Sequence, residues 1–114
     1  MDEEEGINIL EREFQRKFLD DLQIAIPGCV LLKNDSSYIQ GIPDWILLWE
    51  DKWAMFEIKA RPNANIQPNQ EYYIDLFNRM GFARFVYPEN AKEVIYEVQS
   101  AFGIRGGTRV SISK

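Results

Sequence analysis

Three charged residues interrupt two apolar, aromatic-rich runs in the middle of the chain. The runs, 41–49 and 53–60, are separated by a turn-sized polar gap, which predicts a β-hairpin. Because the side chains of a strand alternate between its faces, Glu57 and Lys59 share one face of the second strand, and Asp44 lies at the start of the first. A charge in a buried strand costs several kcal/mol unless it is paired or binds a metal. The three charges therefore indicate a functional site.

The two carboxylates favour metal chemistry. Asp44 and Glu57, brought together across paired strands, repel each other, and a divalent cation is the simplest group that relieves both charges. Ligands that are all oxygen atoms suit Mg²⁺ or Mn²⁺. A different interpretation is that Asp44 begins its strand near solvent, while Glu57 and Lys59 form a surface ion pair on an edge strand.

The residue types that the chain lacks exclude several catalytic mechanisms. The chain has no histidine, and its single cysteine, Cys29, lies in an apolar run. This composition excludes Ser-His and Cys-His nucleophiles, histidine-ligated zinc and a thiolate zinc site. A catalytic reaction of this chain must therefore use carboxylates, lysine and a metal ion.

The spacing of the charged residues carries a resemblance. Pro43-Asp44 is followed, after 12 intervening residues, by Glu57-Ile58-Lys59, and this pattern resembles the motif of the PD-(D/E)xK nucleases. Residues 10–102 are similar to the small stand-alone VRR-NUC type and, more distantly, to archaeal and phage Holliday-junction resolvases. The resemblance implies that Asp44, Glu57 and the backbone carbonyl of Ile58 hold one or two Mg²⁺ ions. It also implies that Lys59 orients or deprotonates the attacking water.

The first helix is expected to supply one more ligand. Apolar residues at spacings of three and four predict an amphipathic helix over 7–26. In the resembled family a glutamate of this helix reaches the metal, usually through water. Glu11 lies about 40° from the centre of the apolar stripe and Glu13 about 120°, so Glu11 is assigned and Glu13 is the runner-up. Alternatively, Glu11 is an exposed carboxylate that pairs with Gln15 or Arg16.

Residues around the hairpin are candidates for binding substrate. A short strand is predicted over 29–33, and the polar loop 34–41 leads from it directly into Asp44. The loop should therefore rim the site, although an ordinary polar connection would have the same composition. The residues assigned to substrate binding are Lys33, Ser36, Ser37, Tyr38 and Arg61.

The second half of the chain completes the expected fold. Pro68 precedes a helical pattern over 70–81, and Pro68-Asn69-Gln70 matches the Pro-x-Gln that opens the corresponding helix of the resembled nucleases. Gln70 either orients the lysine or contacts a phosphate, or it satisfies the first turn of its helix. A strand at 82–87 and a helix at 89–102 follow. In the resembled superfamily this order is the restriction-endonuclease-like αβββαβ core, an α/β fold with a mixed sheet flanked by helices.

Length and charge place the chain in a broad class. Its 114 residues predict a single domain, with 1–6 as an acidic disordered tail. Segment 103–114 is either a flexible basic arm that reaches phosphate or an untidy C-terminus. No apolar run approaches the ~20 residues of a membrane span, so we expect a cytoplasmic protein, in the host cell if a phage encodes it. The net charge is −5, but without the acidic residues at 2–5 it is nearly neutral, which leaves DNA as a partner.

The residues and the resemblance together predict a metal-dependent DNA endonuclease that hydrolyses phosphodiester bonds without a covalent intermediate. The resembled proteins imply branched DNA, including four-way junctions, as substrate and a homodimer as the active form. One alternative is a catalytically inactive nuclease-fold module that binds nucleic acid or a host protein. Another is a phage or mobile-element accessory protein that binds a host protein through Trp45, Trp49 and Trp53.

Overall fold

The helices and strands follow the predicted order along the chain. The computed structural model describes residues 3–35, 37–61 and 65–104. In chain order the elements are α1 (Glu3–Ala25), β1 (Val30–Lys33), β2 (Trp45–Trp49), β3 (Lys52–Ile58), α2 (Gln70–Met80), β4 (Ala83–Val86) and α3 (Ala91–Ala101). The chain is therefore an α/β protein, as predicted.

The four strands form one mixed sheet in the order β1-β2-β3-β4. β1 and β3 each run antiparallel to β2, and β4 runs parallel to β3. Trp49 pairs with Lys52, so the β2–β3 hairpin turns through two residues, and Glu50 adopts the left-handed conformation there (φ 54°). The crossover that makes β3 and β4 parallel contains α2, as parallel pairing requires. The predicted mixed sheet is confirmed.

The main core lies between one face of the sheet and the pair α1 and α3. The ring of Phe18 on α1 meets Phe56 on β3 edge to face, with centroids 5.4 Å apart. The side-chain amide of Gln99 on α3 donates to the carbonyl oxygen of Ala25 at 2.9 Å, which joins the two helices. The largest fully buried side chains include Phe18, Leu22, Ile26, Leu47, Phe56, Ile58, Val94, Ile95 and Val98. Helix α2 packs on β3 and β4.

α2 lies on the opposite face, because its end at Gly81 is against the ring of Trp53, and Trp53 alternates with Ala54 and Phe56 along β3. Helices therefore flank both faces of the sheet, as predicted. Their bounds differ in detail from the expectation. α1 begins at Glu3, so residues 3–6 of the predicted disordered tail are helical.

The C-terminal arm predicted over 103–114 falls mostly outside the described residues, which end at Ile104. Ile104 itself packs against the core cluster. Within the part of the chain that the structure describes, no helix is long and apolar enough to cross a membrane.

Candidate active site

Strand register brings Asp44 and Glu57 to opposite positions. Trp45 pairs with Phe56 in the antiparallel β2–β3 ladder, so the next pair outward is Asp44 and Glu57. Opposite residues of an antiparallel pair lie on the same face of the sheet. The carbonyl oxygen of Asp44 also accepts from the backbone N–H of Asn34 at 2.7 Å, which holds this residue to the end of β1. The two carboxylates that the sequence singled out therefore meet on the face that carries α2.

Glu57 is the most unusual ionisable group of the site. Its side chain is buried, with only 3% of the residue exposed, and its Oε1 has no hydrogen-bond partner among the described residues. Burial, followed by the negative charge of Asp44, raises the pKa of Glu57 to about 7 from its ordinary 4.5, although the Lys59 ammonium opposes this rise. At neutral pH this carboxyl is consequently divided between its protonated and charged forms.

Lys59 follows Glu57 on the same face, just past the end of β3. Its Nζ lies 3.7 Å from Glu57 Oε2 and donates to the carbonyl oxygen of Asn65 at 3.2 Å. The Lys59 backbone N–H donates to Val86 at 2.8 Å and so continues the β3–β4 ladder. Lys59 is 8% exposed, and β3 lies between β2 and β4 in the sheet. Glu57 and Lys59 are therefore not a surface ion pair on an edge strand, which was the other interpretation of their sequence positions.

Gln70 makes a local contact. Its residue is buried at the first position of α2, and its Oε1 accepts from the backbone N–H of Gln67 at 2.8 Å. This side-chain oxygen closes the turn that leads into the helix. Of the two roles that the sequence left open for Gln70, this contact corresponds to the local one at the start of its helix. The described contacts of Gln70 include neither Lys59 nor a carboxylate of the site.

The turn that leads into β2 touches the start of α2, a contact that the sequence analysis missed. Gly41 has a φ of 94°, and a Cβ placed on it would lie 2.7 Å from the Cβ of Asn69 and 2.8 Å from the carbonyl oxygen of Pro68. Asn69 itself adopts the left-handed conformation (φ 71°). Only glycine fits so close an approach. Gly41 therefore lets the turn that leads into β2 lie directly against the start of α2, and the Gly-Ile-Pro-Asp string was the sequence signal of a special turn there.

The role assigned to Glu11, a metal ligand acting through water, stays a prediction. Glu11 is half-buried and Glu13 is exposed, which agrees with the helical phase assigned to them. Among the residues that the structure describes, however, no group of three or more His, Cys, Asp or Glu side chains is arranged to hold a metal ion. Ile58, whose carbonyl was assigned to the metal, lies between Glu57 and Lys59, with its side chain in the core.

The candidate substrate residues differ in accessibility. Tyr38 and Arg61 are exposed, and Lys33, also exposed, places its Nζ 5.4 Å from the ring centroid of Trp45. Ser37 is engaged locally, because its backbone N–H and its hydroxyl both donate to Asp35 Oδ1, and these bonds lower the pKa of Asp35. Ser36 lies outside the described residues.

A cavity of about 320 Å³ opens where β3 and β4 end. Arg61, two residues beyond Lys59, belongs to its wall. The full lining is Leu10, Phe14, Ala60, Arg61 and Pro88. The N-terminal half of α1 therefore approaches the carboxyl end of β3. Its two lining residues, Leu10 and Phe14, stand before and after Glu11 in the sequence. Leu10 and Phe14 belong to the apolar stripe of the predicted helix, and their spacing does not distinguish a cavity wall from core.

The three tryptophans all make packing contacts within the chain. All are half-buried; Trp49 stacks on Phe102 with ring centroids 5.9 Å apart, and its indole N–H donates to the carbonyl oxygen of Pro27 at 3.2 Å. Trp45 packs against the core, and Trp53 against Gly81. Binding of a host protein through these tryptophans stays a prediction.

Comparison with known proteins identifies no relative: no family model matches the chain, and no curated protein or solved structure matches it significantly.

Proposed function

We propose that the chain is a cytoplasmic, metal-dependent DNA endonuclease of the PD-(D/E)xK type, which hydrolyses phosphodiester bonds. One observation carries the proposal. The buried Glu57 carboxyl faces Asp44 across two paired strands, with the Lys59 ammonium 3.7 Å away and one carboxyl oxygen unpartnered among the described residues. Buried charges left in such an arrangement are destabilising, so their retention is best explained by chemistry.

The donor set fits a divalent cation. Asp44 and Glu57 would hold Mg²⁺ or Mn²⁺, since both offer carboxylate oxygens and Glu57 Oε1 has no other described partner. A pKa near 7 means that cation binding competes with a proton at Glu57, so affinity should increase with pH. When bound, such a cation lowers the pKa of a water molecule and offsets charge on the phosphate.

Lys59 would act on the water and the phosphate. Its buried ammonium is held by Glu57 and by the Asn65 carbonyl, so little side-chain freedom remains to be lost when substrate binds. In this position the ammonium stabilises negative charge that develops on the scissile phosphate and orients the attacking water. The exposed Arg61, two residues further on, is available to a neighbouring phosphate.

The order of elements supports the same class. One helix, three antiparallel strands, a crossover helix and a parallel fourth strand are the arrangement expected of the restriction-endonuclease-like αβββαβ core. Asp44 and Glu57 lie on the second and third of these strands, as in the resembled motif. Fold likeness alone does not imply activity, so this agreement adds to the site but does not replace it.

For the substrate we propose branched DNA, cut near the branch point. A nearly neutral body of this size can gather only a few phosphate contacts, so tight non-specific binding to linear duplex is not expected at physiological salt. Among described residues, Lys33, Tyr38 and Arg61 are exposed. They provide contacts for a DNA shape, and no base-reading motif accompanies them.

A non-catalytic binding module with the nuclease fold is the second candidate. One observation favours it: within residues 3–35, 37–61 and 65–104, no third carboxylate joins Asp44 and Glu57 to complete a metal cluster. Such a module would bind DNA or a protein without cleaving it. Metal binding and cleavage therefore have to be measured separately.

The test combines cleavage with metal linkage. Matched four-way, flap, nicked and linear DNAs are incubated with Mg²⁺ and with Ca²⁺, using wild type, Asp44→Asn and the exposed control Asp51→Asn. We expect Mg²⁺ to support cutting of the four-way substrate by wild type and Asp51→Asn, and Asp44→Asn to lose at least ~100-fold of the rate. Ca²⁺ should bind but support little cleavage.

The same variants separate the two candidates. A ligand that binds only the folded state raises the thermal midpoint, so Mg²⁺ should stabilise wild type and Asp51→Asn but not Asp44→Asn. Stabilisation without cleavage of any DNA would favour the binding module. If Mg²⁺ neither stabilises the wild type nor supports cleavage, the metal-nuclease proposal is wrong.

A further inference from the structure

One residue just past the end of β1 holds both backbone carbonyls next to the Asp44 Cα. The side-chain amide of Asn34 donates from Nδ2 to the carbonyl oxygen of Pro43 at 2.7 Å, and the Asn34 backbone N–H donates to the carbonyl oxygen of Asp44 at 2.7 Å. These carbonyls belong to the two peptide groups on either side of the Asp44 Cα. Because a peptide group is planar, holding both of them restrains the backbone dihedrals of Asp44 and so the direction of its side chain.

Asp44 depends on such contacts because regular strand pairing stops before it. The paired residues of β2 end at Trp45, which lies opposite Lys33 of β1 and Phe56 of β3. Asp44 is therefore the first residue beyond the ladder, and it follows the buried Pro43. The carboxylate that faces Glu57 thus stands on a backbone that Asn34, and not β2 itself, connects to the sheet edge.

Asn34 is itself held from both sides along the chain. Lys33, immediately before it, pairs with Trp45 at the end of β1. Asp35, immediately after it, begins a turn in which its carbonyl oxygen accepts from the backbone N–H of Tyr38 at 3.1 Å and its Oδ1 accepts from Ser37. A donor supported in this way keeps its geometry when a ligand binds nearby.

We propose that Asn34 is the positioning residue of Asp44, which aims the Asp44 carboxylate so that it can share a divalent cation with Glu57. This inference rests on the proposed function and adds to it a residue that acts only through Asp44. Groups that orient a metal ligand typically contribute about 10–100-fold to metal affinity.

A purely structural role for Asn34 would be to satisfy the carbonyl of the buried Pro43. Both roles predict that a variant without the amide is less stable. Only positioning predicts that the variant, once folded, also binds the cation more weakly. Metal affinity and stability are therefore measured on the same proteins.

The test compares Asn34→Ala and Asn34→Leu with the control Asn78→Ala. Leucine has the branched shape of asparagine but no donor, and both Asn34 variants keep the backbone N–H. Asn78 also holds a backbone group with its side chain, because its Oδ1 accepts from the N–H of Ala83 at 3.3 Å. That contact lies at the start of β4, whereas Lys59 lies beside the end of β4. Circular dichroism and thermal unfolding without metal show whether each protein is folded and how much stability it has lost.

Calorimetric titration then gives the Mg²⁺ dissociation constant of each protein at one pH. Asn34→Ala and Asn34→Leu should raise it by about 10-fold or more, and Asn78→Ala should leave it at the wild-type value. Each Asn34 variant is a test by itself, so the loss of one to misfolding leaves the other.

Two results would overturn the inference while the metal site stands. One is an Asn34→Ala protein that binds Mg²⁺ as tightly as Asn78→Ala does, and the other is wild-type affinity in Asn34→Leu. A wild type that binds no Mg²⁺ would instead remove the proposed function, and this inference with it.

Discussion

The two faces of the sheet differ in what their side chains do. Along β3, Ala54, Phe56 and Ile58 point into the core between the sheet and the pair α1 and α3, and all are fully buried. The alternate positions carry Met55 and Glu57, and Lys59 continues that face beyond the strand. One strand thus places its buried apolar side chains on one face and its charged side chains on the other, with a two-residue period. A substitution on the core face should therefore alter stability at every pH, and one at Glu57 should alter how stability depends on pH.

The largest expected difference in stability is between variants of two neighbouring leucines in β2. Leu47→Ala should lower the free energy of unfolding by about 2–5 kcal/mol, because it opens a cavity in a fully buried position. Leu48→Ala, one residue along on the opposite face and 40% exposed, should cost less than about 1 kcal/mol. Urea unfolding of both variants checks the comparison. Equal losses would mean that the two faces are packed alike.

The pH dependence of stability tests the site face next. Because the folded state raises the pKa of Glu57 from 4.5 to about 7, it binds a proton more tightly than the unfolded chain does. This contribution is complete below pH 4.5 and is lost as pH rises through 7, by up to about 3 kcal/mol. The free energy of unfolding is to be measured from pH 4 to 8 in metal-free buffer.

Glu57→Gln is the control for this loss, since it keeps the shape of the side chain and cannot ionise. Its stability should fall less over the same pH range than that of the wild type. Parallel curves for the two proteins would show that Glu57 titrates at its ordinary value in the folded state.

The smallest expected effect compares two glycines and tests whether the close approach at Gly41 positions α2. Gly41→Ala should be less stable than Gly28→Ala by about 2 kcal/mol, the usual cost of forcing an extra methyl group into a filled space. Both have a positive φ, 94° and 87°, so both variants carry the same backbone strain, but only at Gly41 does a Cβ meet Asn69. Thermal unfolding of the two variants measures the difference. If they melt together, α2 can shift without cost, and the close approach does not position it.

Much of the local structure could be predicted because it depends on neighbours in sequence. Alternation along 41–49 and 53–60 is enough to predict the hairpin, and the hairpin alone brings Asp44 opposite Glu57. Contacts between distant segments were less accessible. Gly41, in the turn before β2, lies against Asn69, which immediately precedes α2 and is far away in sequence. No periodicity in the sequence predicts that contact.

The exposure of Leu48 was not predicted for a related reason. Leu48 and Leu47 are the same residue type in one apolar run, and their alternation says that they point to different faces but not which face is covered. That depends on how far α2 reaches across the sheet, which is a property of the whole fold. Gln70 shows the same limit, since the sequence left open both a local and a site role, and its described contact is local.

The parallel pairing of β3 with β4 has a consequence for the order of folding. The β2–β3 hairpin closes through two residues, an event of about 1–10 μs, whereas β4 can pair only after the chain has made the crossover through α2. Asp44 and Glu57 should therefore meet early, while both are still hydrated. The later arrival of α2 and β4 should then remove water from Glu57. Proton uptake near pH 6, followed with an indicator dye during refolding, should then report the slow closing of the crossover and lag behind formation of the hairpin.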